Sequence, residues 1–288
     1  MVSKQLKWVL LIVLALIWGS SFILIKKGLL GLNPFQLGSL RIIFCAVFLL
    51  IIGFKSLTRI PQSQWKYIAL TALFGTFLPV YLFSIAQTQI SSSVSSILNS
   101  LTPLNTLLLS VLFFGLGFKR IQFFGVIIGL IGTSVLILNG DNHGENHNNY
   151  YAFLVIIASI CYAINVNLIK KYLSNLTPLS ITAGNFSVML FPALAILLCT
   201  DFVEIVHHQE TQHAMLYIVL LAIVGTGIAN ILFFRLVQMS SPIFAASVTY
   251  LIPVVAFFWG MFDNEMLTPI QFLGALIILI GVYLANKK

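Results

Sequence analysis

Long apolar stretches follow one another along the whole chain, separated by short polar segments. They have about the 20 residues that a membrane-spanning helix requires, without the alternating polarity of the strands in a membrane barrel. The predicted spans lie at about 7–27, 34–54, 66–88, 92–115, 121–139, 150–170, 178–199, 214–237, 241–262 and 268–286. The pattern therefore predicts an all-α membrane protein with ten transmembrane helices.

The composition agrees with this pattern, since 59% of the 288 residues are hydrophobic and only 8% are charged. A soluble domain has no interior that could hold so much apolar surface. The three cysteines lie within or at the ends of spans and do not indicate a disulfide framework. We expect the lipid bilayer as the environment and no cofactor.

Basic residues are distributed unequally between the two sides of these spans. With a cytoplasmic N-terminus, twelve of the 15 lysines and arginines fall on the cytoplasmic side, and Lys26 and Lys27 fall outside. All seven acidic residues and all five histidines fall in three outer loops. An even number of spans with both termini cytoplasmic preserves this segregation. Because the basic residues are scattered over short loops, the net charge of +8 does not indicate a nucleic-acid partner.

The chain also contains an internal repeat. The segment IQFFG at 121–125 returns as IQFLG at 270–274, and LIKK occurs at 24–27 and at 168–171. An offset of 150 relates Gly75-Thr76 to Gly225-Thr226, and Pro103 to Pro253. Residues 1–140 and 141–288 are therefore predicted to be two five-helix repeats. Since five is odd, the second repeat is predicted to be inverted in the membrane, an arrangement typical of secondary transporters.

Taken in order, these features resemble the EamA-type branch of the drug/metabolite transporter superfamily. The resemblance is carried by Trp18-Gly19-Ser20-Ser21-Phe22, Arg41 after Pro34, Pro103 with Pro253, and glycine pairs at 125/132 and 274/281. It covers essentially the whole chain and implies a ten-helix inverted-repeat carrier with a central cavity, commonly an exporter of amino acids or other small metabolites. The second repeat departs from the first, because it has Tyr162 in place of Trp18 and Asn185 in place of Arg41.

Polar and aromatic side chains inside the spans are the candidates for a substrate cavity. In span four they recur at helical spacing from Ser95 to Ser110 and share one face, which either lines a cavity or bonds to neighbouring helices. The aromatic candidates either stack on a substrate or pack in the core. The full set of cavity candidates is Trp18, Ser21, Tyr81, Asn99, Thr102, Pro103, Thr106, Asn165, Thr226, Asn230, Thr249, Tyr250 and Pro253.

Charged and metal-ligating residues are rare within the spans. Arg41 lies about two turns from the outer end of span two, so we expect a structural role with its side chain extending toward the interface, and contact with a substrate carboxylate is the alternative. The outer loops carry residues with the chemistry of metal ligands, but their irregular spacing predicts no metal site. These are His143, Glu145, His147, His207, His208 and His213.

The absence of acids and histidines from the spans limits the possible functions. Proton exchange through a carboxylate has no candidate group, and a cationic substrate has no buried countercharge. Serines and threonines without such partners disfavour a hydrolase, so no catalytic residue is predicted. The sequence predicts a secondary transporter of the inner (plasma) membrane that exports small neutral or zwitterionic metabolites, such as amino acids, by alternating access. A non-transporting scaffold or sensor is the alternative, and the oligomeric state is left open.

Overall fold

The structure, a computed structural model, describes residues 4–114, 120–138, 150–263 and 268–285. These residues form helices joined by short turns, and the described ranges contain no strand. The helices are α1 (Lys4–Gly28), α2 (Pro34–Leu57), α3 (Trp65–Ala72), α4 (Leu78–Ala86), α5 (Ser92–Asn99), α6 (Thr102–Phe114), α7 (Arg120–Leu138), α8 (Tyr150–Tyr172), α9 (Pro178–Leu198), α10 (Phe202–Ile205), α11 (Gln209–Ala222), α12 (Ala229–Met239), α13 (Pro242–Ala246), α14 (Ile252–Phe262) and α15 (Pro269–Ala285).

Eight helical stretches in the described part of the chain are long and apolar enough to cross a membrane. Helices α7 and α15 are also apolar and occupy the positions of predicted spans five and ten. Apolar side chains such as Ile51, Leu112 and Phe191 are exposed on the outside of the molecule, while many hydroxyl groups are buried. This inverts the distribution of a soluble protein. The all-helical prediction is confirmed, and the count of ten spans and the orientation of the termini stay predictions.

Helix boundaries differ from the prediction between spans seven and eight. A short helix, α10, forms in the predicted outer loop, and α11 begins at Gln209 rather than at 214. Glu210 lies in the first turn of α11, where an acidic side chain is favoured by the helix dipole. Because polar residues also form helix outside the apolar stretch, hydropathy alone placed this helix start too late.

Helices α2 and α9 occupy corresponding places in the two halves and begin in the same way. The Asn33 side chain accepts hydrogen bonds from two backbone N–H groups of the first turn of α2, at 2.9 and 3.0 Å. Thr177 accepts one from the backbone N–H of Ser180 at 3.1 Å. Pro34 and Pro178 follow these caps, at the position where a missing N–H is not needed and a fixed φ suits the helix. The repeated prolines thus act as helix start signals.

Two pairs of irregular segments interrupt the long helices. α5 stops at Asn99 before α6 begins, and a 3₁₀ segment (Ser247–Tyr250) separates α13 from α14. Pro103 and Pro253 are the second residues of α6 and α14, where a proline restarts a helix without losing a hydrogen bond. The repeat-related prolines thus lie directly after a helix break in both halves. In contrast, α3 continues into α4 through a π-helical turn, 73–77, and α11 continues into α12 through another, 223–228.

Glycines allow α7 and α15 to pack closely together. A Cβ atom at Gly281 would overlap the backbone N of Gly129 and lie 2.7 Å from the backbone O of Gly125. At Gly132, a Cβ would lie 2.6 Å from the backbone N of Ile278. These neighbours are backbone atoms that cannot rotate away, so a larger residue would separate the helices. The paired glycines named in the sequence analysis therefore permit close packing of these two helices.

A cluster of charges joins α1 to α14. Lys26 Nζ lies 3.0 Å from Asp263 Oδ2, and Lys27 Nζ donates a hydrogen bond to Asp263 Oδ1. The two lysines that the sequence predicts outside the membrane thus meet an acidic residue predicted on the same side. Desolvation acts to raise the pKa of Asp263, but the hydrogen bonds from the lysines outweigh it and hold this pKa below its ordinary value of 3.8.

We predict that Gly281→Ala lowers the temperature of thermal unfolding in detergent, because the added methyl group meets backbone atoms of α7. Overpacking of this kind costs about 1–3 kcal/mol. Gly53→Ala is the matched control, since its Cβ would meet only side-chain atoms, Leu179 Cδ1 at 3.2 Å and Ala183 Cβ at 3.3 Å among them. Both changes bring the same gain in helix propensity, so the difference between the variants isolates the α7–α15 contact. Equal unfolding temperatures for the two variants would contradict the prediction.

We also predict that Asp263→Asn destabilises the protein at neutral pH and that this effect shrinks in acid. Because the pKa of Asp263 is lowered in the folded state, the ion pairs contribute fully above the ordinary value and are lost as the pH falls through the folded value. The difference in unfolding temperature from the wild type should therefore narrow as the pH is lowered below 3.8. Glu204→Gln, a change at an exposed acid, is the control. A difference that is independent of pH would count against this role of the ion pairs.

Candidate functional site

A cavity lies between the helices and is lined by residues from both halves of the chain. It holds about 840 Å³ of empty space, including its open mouth. Both irregular helix breaks and both π-helical turns contribute to its wall. Eight of the predicted cavity residues line it: Trp18, Ser21, Asn99, Thr102, Asn165, Thr226, Asn230 and Thr249.

The other five predicted residues are not among those that line the cavity. Tyr81 is buried, and its hydroxyl group shares a 2.8 Å hydrogen bond with Ser39 of α2. Thr106 points its hydroxyl at the backbone O of Thr102, 2.8 Å away. Tyr250 packs against the hydrophobic cluster that α5 forms with its neighbours. The remaining two are the prolines 103 and 253, which are buried directly after the lining residues 102 and 252.

The polar face of span four serves both of the purposes that the sequence left open. Asn99 and Thr102, at the break between α5 and α6, line the cavity. Farther along α6, Ser110 Oγ donates to Asn167 Oδ1 of α8 at 3.0 Å. Asn105 Nδ2 donates to Ser159 Oγ of α8 at 2.7 Å. The face therefore belongs to the cavity at the helix break and joins two helices beyond it.

The two π-helical turns are related by the internal repeat and contact corresponding partners. Gly75 and Gly225 lie in these turns, followed in each case by a threonine. A Cβ at Gly75 would lie 2.6 Å from Asn165 Oδ1, and a Cβ at Gly225 would lie 2.7 Å from Ser21 Oγ. Each turn thus lies against a polar side chain from the first helix of the other half. Such π-helical turns are often found at functional sites.

Aromatic pairs flank the π-helical turns in both halves. The Trp18 ring contacts Phe233 edge-on, with centroids 4.9 Å apart, and Tyr162 is stacked near Phe83 at 6.0 Å. Trp18 Nε1 donates a hydrogen bond to the backbone O of Gly225 at 3.0 Å. The Trp18 side chain is therefore held in place while its ring lines the cavity. Of the two positions that the sequence left open for the aromatic candidates, Trp18 occupies the cavity wall.

Arg41 also lines the cavity, so the expectation that it extends toward the interface is wrong. Its side chain is only 8% exposed, and its Nε donates to Thr226 Oγ1 at 2.8 Å. Thr226 in turn donates to the backbone O of Leu221 at 2.9 Å, so its hydroxyl oxygen is oriented to accept from Arg41. No acidic side chain in the described ranges forms an ion pair with this guanidinium. A permanent positive charge therefore lies in the cavity wall.

The corresponding positions of the other half are arranged differently. Asn185, the counterpart of Arg41, is fully buried, and its amide lies 2.9 Å from Thr71 Oγ1. It does not line the cavity. Thr76, the counterpart of Thr226, has no hydrogen-bond partner for its Oγ1 within the described residues, and the same holds for Asn165 Oδ1. The two sides of the cavity therefore differ in charge and in hydrogen bonding.

Sequence reasoning did not include Thr76 and Tyr162 among the cavity candidates, and it gave contact of Arg41 with a substrate only as the alternative to a structural role. The repeated Gly-Thr pair at an offset of 150 was a usable signal for Thr76, because its counterpart Thr226 was already a candidate. Tyr162 likewise corresponds in the repeat to a candidate, Trp18, by the spacing that relates the two LIKK segments. For Arg41 the depth along the helix was misleading, since depth does not indicate which neighbour a side chain faces.

The outer residues with metal-ligand chemistry are only partly described. His207, His208 and His213 lie in the described part, at or near the start of α11, whereas the predicted residues 143, 145 and 147 lie outside the described residues. Within the described ranges, no group of three or more potential metal ligands occurs.

Comparisons with known proteins give a consistent assignment. The model of the EamA-like transporter family matches residues 6–138 and again 149–287. The chain is 28% identical over 284 residues to the "Uncharacterized inner membrane transporter YedA" of Escherichia coli K12, covering 96% of this chain and 89% of that protein. It is 26% identical over 287 residues to a "Probable amino-acid metabolite efflux pump" of the same organism, covering 96% and 93%.

A solved structure and an archaeal relative extend the likeness. An "Uncharacterized transporter" of Archaeoglobus fulgidus is 24% identical over 286 residues, covering 98% of this chain and 99% of that protein. A crystal structure with 16% identity superposes with a TM-score of 0.68 over 99% of this chain and 97% of that chain, which shows a common fold. Because the family matches cover nearly all of a chain with many apolar helices, the protein is a multi-pass membrane transporter and belongs to the EamA-like transporter family.

Proposed function

We propose that the protein is a secondary transporter of the inner (plasma) membrane that exports small neutral or zwitterionic metabolites, with amino acids as the leading class. The cavity between the two related halves is the observation that carries this proposal. Its described wall contains one cation, several neutral polar groups and no acid. A cation without a partner carboxylate repels cationic substrates, whereas it attracts solutes that carry a negative group.

The proposed architecture is ten spans arranged as inverted five-helix repeats, residues 1–140 and 141–288, with both termini cytoplasmic. The two family matches, 6–138 and 149–287, support a duplication. The paired π-helical turns and paired breaks at Pro103 and Pro253 also support it. Discontinuous helices around a central site are typical of transporters built from inverted repeats.

We propose alternating access as the mechanism, by movement of the halves around the cavity. Contacts at two places could open and close in turn. The α1–α14 charge cluster is one of them. Lys170, the repeat counterpart of Lys26, forms the other, because its Nζ donates to the backbone O atoms of Val237, Gln238 and Ser240 at 3.3, 3.1 and 2.7 Å. Lysines at the same repeat position thus join α1 to the end of α14 in one case and α8 to the end of α12 in the other.

Amino acids are the favoured substrate class on two grounds. They carry a carboxylate that suits the cationic wall of the cavity, and a relative that is 26% identical is described as a probable amino-acid metabolite efflux pump. A non-transporting scaffold or sensor has no need of a cavity lined by a buried cation. No observation in the described part of the chain favours that alternative over transport.

We predict that the purified protein in liposomes releases preloaded, isotope-labelled amino acids faster than liposomes without protein. Asn99→Leu should slow this release about tenfold, which is the effect of losing about 1.4 kcal/mol of substrate binding. Ser134→Ala is the control, because this exposed serine donates only to the backbone O of Leu130 in its own helix. Both variants should elute as single species in size-exclusion chromatography. If no member of a broad metabolite panel moves above the empty liposomes, the transport proposal is wrong.

A further inference from the structure

We propose that the cavity binds its substrate as a zwitterion in one orientation, with the carboxylate on Arg41 and the ammonium group at Asn165 and Thr76. This inference rests on the proposed transport function and adds the recognising groups and their polarity. We call Arg41 with Thr226 the donor region, and Asn165 with Thr76 the acceptor region. Both regions belong to the wall of the same cavity.

The donor region is preorganised for a carboxylate. An arginine remains protonated in proteins, so the charge of Arg41 persists inside the membrane. A buried charge without a counterion is costly, and no acidic group of the described residues is paired with it. The bond from Nε to Thr226 fixes the guanidinium plane and leaves the two Nη groups for a substrate. Parallel N–H groups on a guanidinium bind a carboxylate through two hydrogen bonds.

The phenolic group of Tyr162 adds to the donor region, because Tyr162 lines the same cavity as Arg41. Tyr162 is the repeat counterpart of Trp18, whose indole N–H is already bonded to Gly225. The first-half aromatic is therefore bonded to the backbone, whereas the second-half aromatic lines the cavity that also contains the cation. A hydroxyl group in the wall of the same cavity provides a further donor for a bound carboxylate oxygen.

The acceptor region has the complementary chemistry. Asn165 and Thr76 are 3% and 2% exposed, and neither Asn165 Oδ1 nor Thr76 Oγ1 has a hydrogen-bond partner among the described residues. Leaving a buried acceptor unpaired costs about 1–3 kcal/mol, and such groups in a native protein require an explanation. Gly75 keeps them together, because it has no Cβ between the π-helical turn and the Asn165 amide. An ammonium group offers three N–H donors to these oxygens.

The difference between the two halves determines the orientation. In a strictly symmetric cavity, a substrate could bind in two equivalent directions. Here Arg41 faces the cavity, whereas its counterpart Asn185 is bonded to Thr71 and does not line it. As a result, the Thr226 hydroxyl oxygen already accepts a hydrogen bond from the guanidinium. The hydroxyl oxygen of its counterpart Thr76 has no partner among the described residues and can accept a hydrogen bond from a substrate. The cavity thus has a cationic side and a neutral accepting side, and a zwitterion fits in one direction only.

The test uses three probes with the same side chain: L-leucine, its carboxamide L-leucinamide and its deaminated acid 4-methylpentanoate, with equivalent sets for alanine and phenylalanine. Binding is measured as the thermal stabilisation of the protein in lipid nanodiscs, and transport as release from liposomes. For the wild type we expect the amino acid of at least one set to bind about tenfold or more tightly than both of its derivatives, one tenfold step being about 1.4 kcal/mol.

Variants separate the two regions. Arg41→Gln should remove the preference for the amino acid over its amide, and Arg41→Lys should keep a weaker preference because it retains charge without the planar donor group. Thr76→Val and Asn165→Leu should instead remove the preference over the deaminated acid. Arg235→Gln is the matched control, since Arg235 is exposed, and it should bind like the wild type. If Arg41→Gln does not fold, the Arg41→Lys variant and the wild-type probe series still test whether the carboxylate binds at Arg41.

The outcomes distinguish this inference from the transport proposal. If the amide binds the wild type as tightly as the amino acid in all sets, or if Arg41→Gln keeps the wild-type preference, the inference is overturned. Transport that proceeds without dependence on the carboxylate overturns the inference and leaves the transport proposal standing. Conversely, binding with the expected preferences but without release from liposomes supports the inference and contradicts the proposed transport.

Discussion

The hydrocarbon core of a bilayer contains no water, so each polar group inside a span must find its hydrogen-bond partner within the protein. Most hydroxyl groups of this chain do so locally, as Ser84, Thr182 and Ser187 do by donating to the carbonyl one turn earlier at 2.7–2.8 Å. These residues need no tertiary partner and carry no information about a site. Local pairing is insufficient at the cavity, because Arg41 bonds to Thr226 of a distant helix and two acceptors in the cavity wall have no partner among the described residues.

The same constraint explains why the irregular backbone lies where it does. Helix breaks and π-helical turns leave carbonyl groups exposed, and lipid cannot satisfy these groups. In this protein both breaks and both turns lie in the wall of the cavity. At the breaks, the backbone carbonyls of Asn99 and Ala246 accept hydrogen bonds from the hydroxyls of Thr102 and Thr249, at 2.7 and 2.9 Å. These four irregular segments thus lie where a solute or a side chain can replace the lost bonds.

The internal repeat gives the molecule paired features, but the function proposed for it depends on where the pairs differ. The prolines of α6 and α14 and the glycines of α7 and α15 are alike in both halves and serve the scaffold. In contrast, Arg41 and Asn185 have the same place in the repeat and opposite surroundings. The repeat therefore gives the two halves a common frame, and the difference between Arg41 and Asn185 gives one side of the cavity a positive charge.

Several features were determined by the sequence alone. Apolar stretches, caps and helix-starting prolines act within a few residues of themselves, so the helices could be predicted, and eight of the thirteen predicted cavity residues do line the cavity. Which face of each helix turns inward was decided only by tertiary packing. Arg41 meets Thr226 across 185 residues of sequence, and Tyr81 turns instead to Ser39. The position of a residue along a helix follows from local rules, whereas the rotation of that helix about its axis is fixed by the neighbours that it packs against.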